Sequence, residues 1–364
     1  MPTIDDRASR LLLYGANGYT GRLTAALAAA KGLDVVLAGR SAEPIRRLGE
    51  QLRLPTRVVG LDDPGALANA LADVATVVHV AGPFAVTSAP MLRACLATGT
   101  NYVDITGEIE VFEAIWSRAG EIRGAGITVV PGAGFDVVPS DCLAGYVAGQ
   151  LERPTSLIIA LRGLERASRG TMTTAIGQLS ASVLCRRGGA IVPLDDRSER
   201  EIDFGDGPEP CVPLSWGDVA TAFHSTGVPN VTVYLRRTGL LRSANVAGRL
   251  FGPLLRSRFG RRALAALVRR APDGPSAAER RRHRSVVWAR ATNDAGESVT
   301  ATLSTPDPYD LTANSVLEVA ARVSALRHPL GLATPFQAFG ADLVLALPGC
   351  ERSAPVKSRA LRSR

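Results

Sequence analysis

The stretch Leu11-Leu12-Leu13-Tyr14-Gly15-Ala16-Asn17-Gly18-Tyr19-Thr20-Gly21 decides the fold. Four apolar residues in a row read as a strand buried on both faces, and the Ala- and Leu-rich run Leu23–Lys31 reads as a helix. Between them lies a G-x-x-G-x-x-G loop. Gly15 and Gly18 let the chain turn tightly and bring backbone N–H groups against a pyrophosphate, while Gly21 lets helix and strand pack closely. The helix N-terminus attracts the anion. Asn17, Tyr19 and Thr20 fill the same loop and join the candidate cofactor-binding set. Glycines serving only a tight turn are the bland alternative; strand, helix and further units in register argue against it.

Working outward, short apolar runs alternate with helical stretches such as Ala66–Ala72. Strands are expected at Leu11–Tyr14, Asp34–Ala38, Thr56–Val59, Thr76–Val80, Asn101–Ile105 and Thr128–Val130. That alternation predicts an α/β fold, a Rossmann doubly wound parallel sheet, over residues 1–140. After Pro139 the spacing lengthens and Gly/Pro joints appear, which predicts a second α+β lobe for substrate or dimerisation over 141–309, with a basic insertion at 236–290. Candidate strands there are Ser156–Leu161 and Val231–Leu235, and Val286–Thr292 pairs with Ser298–Ser304 as a hairpin. Residues 310–350 are expected as a helix (Leu311–Leu326) and a segment packing back on the first lobe. The polar tail 351–364 reads as disordered.

The end of the second strand selects the cofactor. An Asp or Glu there would bind a ribose 2′-hydroxyl, but the sequence runs Gly39-Arg40-Ser41. A guanidinium and a hydroxyl suit the 2′-phosphate of NADP(H). A solvated loop charge is the other reading of Arg40. Asp62-Asp63-Pro64, after the third strand, serves helix capping or adenine contact equally well.

Composition removes several chemistries. The 364 residues are 46% apolar and 21% charged, an ordinary globular balance that fits about two domains. Five scattered cysteines without a C-x-x-C pair encode neither a disulfide framework nor a metal site. With an acidic start and no long apolar run, a cytoplasmic protein is expected. Lys31 and Lys357 are the only lysines, and Leu27 and Ser353 stand four residues before them, so a Tyr-x-x-x-Lys dehydrogenase site is excluded.

Gly15–Gly21, Gly39-Arg40, Ala81-Gly82-Pro83-Phe84, Asn101-Tyr102-Val103-Asp104-Ile105-Thr106-Gly107-Glu108 and Gly134-Phe135-Asp136-Val137-Val138-Pro139-Ser140-Asp141 together make the chain resemble the saccharopine dehydrogenase-like oxidoreductases. That group includes saccharopine reductases and trans-acting enoyl reductases. The resemblance is dense over about residues 10–145 and implies a nicotinamide cofactor and hydride transfer. Three of the motifs begin where strands end and should line one crevice. Ala81, Gly82, Pro83, Phe84, Gly107, Gly134 and Phe135 are therefore expected to bind cofactor, and Asp136, Tyr102 and Glu108 are the catalytic candidates. Each has a plainer reading: Glu108 and Asp141 as helix-start acids, Asp136 in an Asx turn, Tyr102 as core.

Residues 236–290 hold 15 arginines against Asp273 and Glu279. An acidic carrier protein or an anionic membrane surface could dock there, and a solvated helix is the alternative; aromatic residues at 5% argue against nucleic acid. The expected function is an NADPH-dependent reductase of a C=C or C=N bond in an apolar or carrier-linked small molecule, with room for a homodimer. A saccharopine-type imine reductase, which would need clamps such as Arg162, Arg166 and Arg169, is one alternative. A non-catalytic NADP(H)-binding regulator or partner-binding protein is another.

Overall fold

The computed structural model describes residues 9–164, 168–170, 172, 182–237 and 272–359. The first lobe alternates β1 (Leu11–Tyr14), α1 (Tyr19–Ala30), β2 (Val35–Gly39), α2 (Ala42–Leu52), β3 (Thr56–Val58), α3 (Pro64–Leu71), β4 (Thr76–His79), α4 (Phe84–Thr98), β5 (Asn101–Asp104), α5 (Ile109–Trp116), α6 (Ala119–Ala125) and β6 (Thr128–Val130). β1 is buried at all four positions because helices cover both faces of a central parallel strand, which explains its unbroken apolar run. The strands lie in the order β6-β5-β4-β1-β2-β3, all parallel, so the winding reverses between β1 and β4 and opens a crevice at their carboxyl ends.

The second lobe begins with α7 (Val138–Ala148), buried at nearly every position. It continues with β7 (Pro154–Arg162), β8 (Leu184–Arg187), β9 (Ala190–Pro193), β10 (Arg200–Asp203), β11 (Pro208–Pro213), α8 (Asp218–Thr226), β12 (Asn230–Arg236), α9 (Ala277–Arg282), β13 (Arg284–Asn293) and β14 (Glu297–Pro306). The sheet is mixed: β7 runs parallel to β12 and antiparallel to β13, and β13 and β14 form the expected hairpin, closed at Gly296 (φ +77°). α7 packs on β13, β14 and α8, and one apolar core runs from Leu13, Val103 and Val130 through Leu143 to Ile159, Val287 and Leu303.

α10 (Pro308–Ser324) then returns to lie on α1, β4 and β5. β15 (Gly331–Leu332) adds a seventh parallel strand beside β6, and α11 (Pro335–Phe339) follows. The expected disordered tail is corrected over its described part. β16 (Glu351–Arg352) and β17 (Val356–Arg359) both pair antiparallel with β14. The exposed side chains of β17 carry no apolar alternation, so its order comes from backbone pairing that composition does not reveal. Most of the expected basic insertion, residues 238–271, lies outside the described residues. No helix among the described residues is long and apolar enough to cross a membrane.

Candidate active site

The glycine loop is packed too tightly for side chains. Gly15 adopts φ +90°, and a Cβ there would stand 2.8 Å from that of Ala81; one on Gly21 would stand 2.2 Å from the Gly15 carbonyl oxygen. This closeness brings the start of α1 against the end of β1. Gly18 caps α1 with no side-chain hydrogen bond, and the first turn holds no acid. Helix starts leave N–H groups without intrahelical partners, so the N–H groups of Tyr19, Thr20 and Gly21 face the crevice mouth as a ready anion site. At the end of β2, Arg40 is exposed and makes no ion pair or hydrogen bond with a described residue. Ser41 caps α2 without using its hydroxyl on the helix. Asp63 caps α3 through the Ala66 N–H at 2.9 Å, which accounts for one of the two aspartates there. These groups fit a dinucleotide carrying a 2′-phosphate: bare N–H groups for its pyrophosphate, a free guanidinium and hydroxyl for the extra phosphate.

Beyond β5 the carboxylates behave differently. Glu108 accepts from the N–H groups of Phe84 (2.9 Å) and Ala85 (2.8 Å), capping α4 rather than the helix it introduces. Its two oxygens are committed, which withdraws it from proton transfer. Tyr102 is fully buried and its hydroxyl donates to Asp104 at 2.6 Å; alternation along β5 turns it into the core. Asp104 also accepts from the N–H groups of Thr106 (3.0 Å) and Gly132 (2.8 Å), tying the ends of β5 and β6 together. Burial pushes its carboxyl up to about 6. Phe84 and Phe135 are buried too, so the cofactor could meet only their backbones. A Cβ on Gly134 would crowd Thr312 and Ile105 at 3.1–3.2 Å.

Asp136 remains. It is partly exposed, it lies so close to Gly107 that a Cβ there would stand 2.7 Å from Oδ2, and burial pushes it up to about 6. The second lobe meets the same spot, since a Cβ on Gly217 would lie 3.5 Å from the Gly107 carbonyl oxygen. Gly217 leads into Asp218, which is fully buried and accepts from the Ser140 hydroxyl at 2.9 Å. Asp141 turns away, bonded to Ser225 and to the Phe336 N–H (2.8 Å), and so caps α11 rather than its own helix. Of the catalytic candidates, Asp136 alone lines the crevice with an uncommitted carboxyl.

Residues 11–130 match the saccharopine dehydrogenase NADP binding domain family. The match covers the first lobe, which is similar to that family's nucleotide-binding domain. It is 34% identical to a trans-acting enoyl reductase of Mycobacterium leprae over 38% of this chain and 35% of that protein. A trans-acting enoyl reductase of Mycobacterium ulcerans is 25% identical over 94% of this chain and 96% of its own. The chain spans about half the length, 46% or less, of the first curated relatives it matches. The saccharopine dehydrogenase (L-Glu forming) of Saccharomyces cerevisiae shares the fold, with a TM-score of 0.61 over 96% of this chain and all of that one at 15% identity.

Several partners of the site carry no local sequence signal. A strap, Asp273-Gly274-Pro275, crosses the start of α1: Arg22 bonds the Asn17 carbonyl (2.8 Å) and Asp273 (2.6 Å), and Gly274 presses on the Tyr19 ring. The Tyr19 hydroxyl donates to the Pro275 carbonyl and accepts from Arg280 (2.8 Å), while its ring meets Tyr309 edge-on at 5.0 Å. Only the backbone of Tyr19 is therefore left for cofactor. Nothing local in the sequence links Arg22 to Asp273, 251 positions away. The expected saccharopine clamps are also spoken for. Arg162 pairs with Asp206 and Glu209, Arg169 pairs with Asp273, and Arg166 lies outside the described residues.

Proposed function

We propose that this protein is an NADPH-dependent reductase that delivers hydride to the C=C bond of an apolar, carrier-linked enoyl intermediate. The observation that carries the reading is the pairing of a bare helix start and a free Arg40 with the uncommitted carboxyl of Asp136 in the same crevice. The cofactor supplies hydride from its nicotinamide when bound. The chain does the rest: the N–H groups of α1 and Arg40 orient the dinucleotide, the Gly107 and Gly134 turns allow close approach of its nicotinamide end, and Asp136 holds the proton that the substrate carbon must receive. Burial, which raises its pKa to about 6, suits that duty near neutral pH.

The names of the mycobacterial relatives support an acyl substrate presented on a carrier. The neutralised Arg162 and Arg169 speak against a tricarboxylate amino acid, which would need free cations. NADPH and NADH titrations followed by nicotinamide fluorescence test the first half of the proposal. Oxidation of NADPH with enoyl-carrier thioesters and cyclic imines tests the second. Turnover with imines and none with enoyl thioesters would replace the substrate class, and binding of neither dinucleotide would end the reading.

A further inference from the structure

β4 ends on an imidazole. The strand runs Thr76-Val77-Val78-His79, and His79 is fully buried. The rings of Tyr14, Phe84 and Tyr102 surround it, with centroids 5.4–6.1 Å away. Burial pushes its pKa down to about 3, so the ring is neutral. Its Nε2 lies 3.1 Å from the hydroxyl oxygen of Thr87 in the first turn of α4, while Nδ1 has no hydrogen-bond partner among the described residues. Thr87 fixes the direction of that bond. It has one hydroxyl proton, which goes to the Ala81 carbonyl at 2.6 Å, with the Pro83 carbonyl farther off at 3.1 Å. A helical threonine commonly bonds the carbonyl four residues back, here that of Pro83; the shorter bond instead reaches out of α4 into the loop before it. The hydroxyl oxygen is left to accept, so His79 is the donor and carries its proton on Nε2.

We propose that His79 and Thr87 are positioning residues for the cofactor: their two-bond chain holds the turn Ala81-Gly82-Pro83 where the nicotinamide half of the dinucleotide can lie along it. The inference rests on reading the crevice as a dinucleotide site. Arg40, at the end of β2, and the start of α1 take the 2′-phosphate and the pyrophosphate, so the remaining half runs toward β4, on the other side of β1 from β2. Ala81 stands where that path begins. Its backbone nitrogen crowds the glycine loop so closely that a Cβ on Gly15 would lie 2.9 Å from it. Two side chains therefore fix the same turn from opposite ends: Thr87 takes the carbonyls of Ala81 and Pro83, and Glu108 takes the N–H groups of Phe84 and Ala85. His79 is shut off from the crevice by burial and acts only through Thr87.

Two measurements test this. In nitrogen-15 NMR of the ligand-free chain, the His79 ring is assigned among the four histidines by the signal lost in His79→Met. It should be neutral with its proton on Nε2; a proton on Nδ1 overturns the proposal without touching the dinucleotide reading. The second is calorimetric titration with NADPH and with adenosine 2′,5′-bisphosphate, which stops short of the nicotinamide. Thr87→Val keeps the shape and removes the proton. It should weaken NADPH about tenfold, the scale of a lost hydrogen bond that leaves a buried acceptor bare, and leave the bisphosphate within about twofold. Thr87→Ser, which restores the hydroxyl, should recover NADPH affinity. His79→Met should weaken NADPH in the same sense, and His79→Gln, which offers an amide N–H near the place of Nε2, should not. Equal weakening of both ligands by T87V would mark a merely structural residue and overturn the proposal, as would unchanged NADPH affinity. Wild-type protein that takes up neither ligand would end the dinucleotide reading and this role with it, whereas the histidine tautomer is read without any ligand.

Discussion

Two helices begin in the same crevice, and their starts are treated in opposite ways. α4 is closed by the carboxylate of Glu108, which takes the N–H groups of Phe84 and Ala85. α1 has no side-chain cap and no acid in its first turn. Both starts carry the same partial positive charge, so the protein has neutralised one internally and left the other for an incoming anion. An acid beside a crevice can thus be scaffolding, and a missing cap can be the functional feature.

The largest expected effect lies where an uncommitted carboxyl meets the crevice. Asp136→Asn should lower NADPH oxidation about 10²–10⁴-fold with dinucleotide affinity retained, the span usual for loss of a general acid. Full turnover in that variant would leave the crevice without an acid from this chain. Glu108→Ala should make α4 resemble α1. Two N–H groups lose their acceptor, and unfolding free energy should drop by about 2–3 kcal/mol in a denaturant titration, with NADPH affinity less affected. Arg40→Ala should weaken NADPH by about 1.5–3 kcal/mol and leave NADH alone, as expected for loss of a charge-assisted bond to a 2′-phosphate. Equal weakening of both would move Arg40 to another part of the cofactor. Smallest is Tyr102→Phe, about 1–2 kcal/mol of stability through Asp104, with no change in the pH dependence of turnover.

The doubly wound lobe was legible because its information is local. The run Leu11–Tyr14, the glycine spacing and the acid-free turn at Arg40 each depend on a few consecutive residues. The hairpin of β13 and β14 was readable for the same reason, since alternation and a Gly-bearing turn lie side by side. What failed was partnership across distance. Glu108 could be recognised as a helix-start acid, but not that it serves a helix beginning 24 residues earlier. Tyr102 lies within β5 and Asp136 beyond the end of β6, and only the three-dimensional packing shows the first fully buried and the second partly exposed. Asp218 carried no motif at all; only the packing of the second lobe buries it against the Ser140 hydroxyl.

The two short strands at the chain's end bear on how the protein behaves in a crowded solution. β14 runs ten residues, and Glu297–Thr300 and Leu303–Ser304 would offer unpaired backbone groups along one side if β17 and β16 were lifted away. An open strand edge invites pairing with a like edge on another molecule. The strand that covers it, Val356–Arg359, is short, charged at Lys357 and Arg359, and presents every side chain to water. Residues 351–359 therefore act as a guard against self-association: they close an adhesive border of the second sheet with one that strangers find hard to extend.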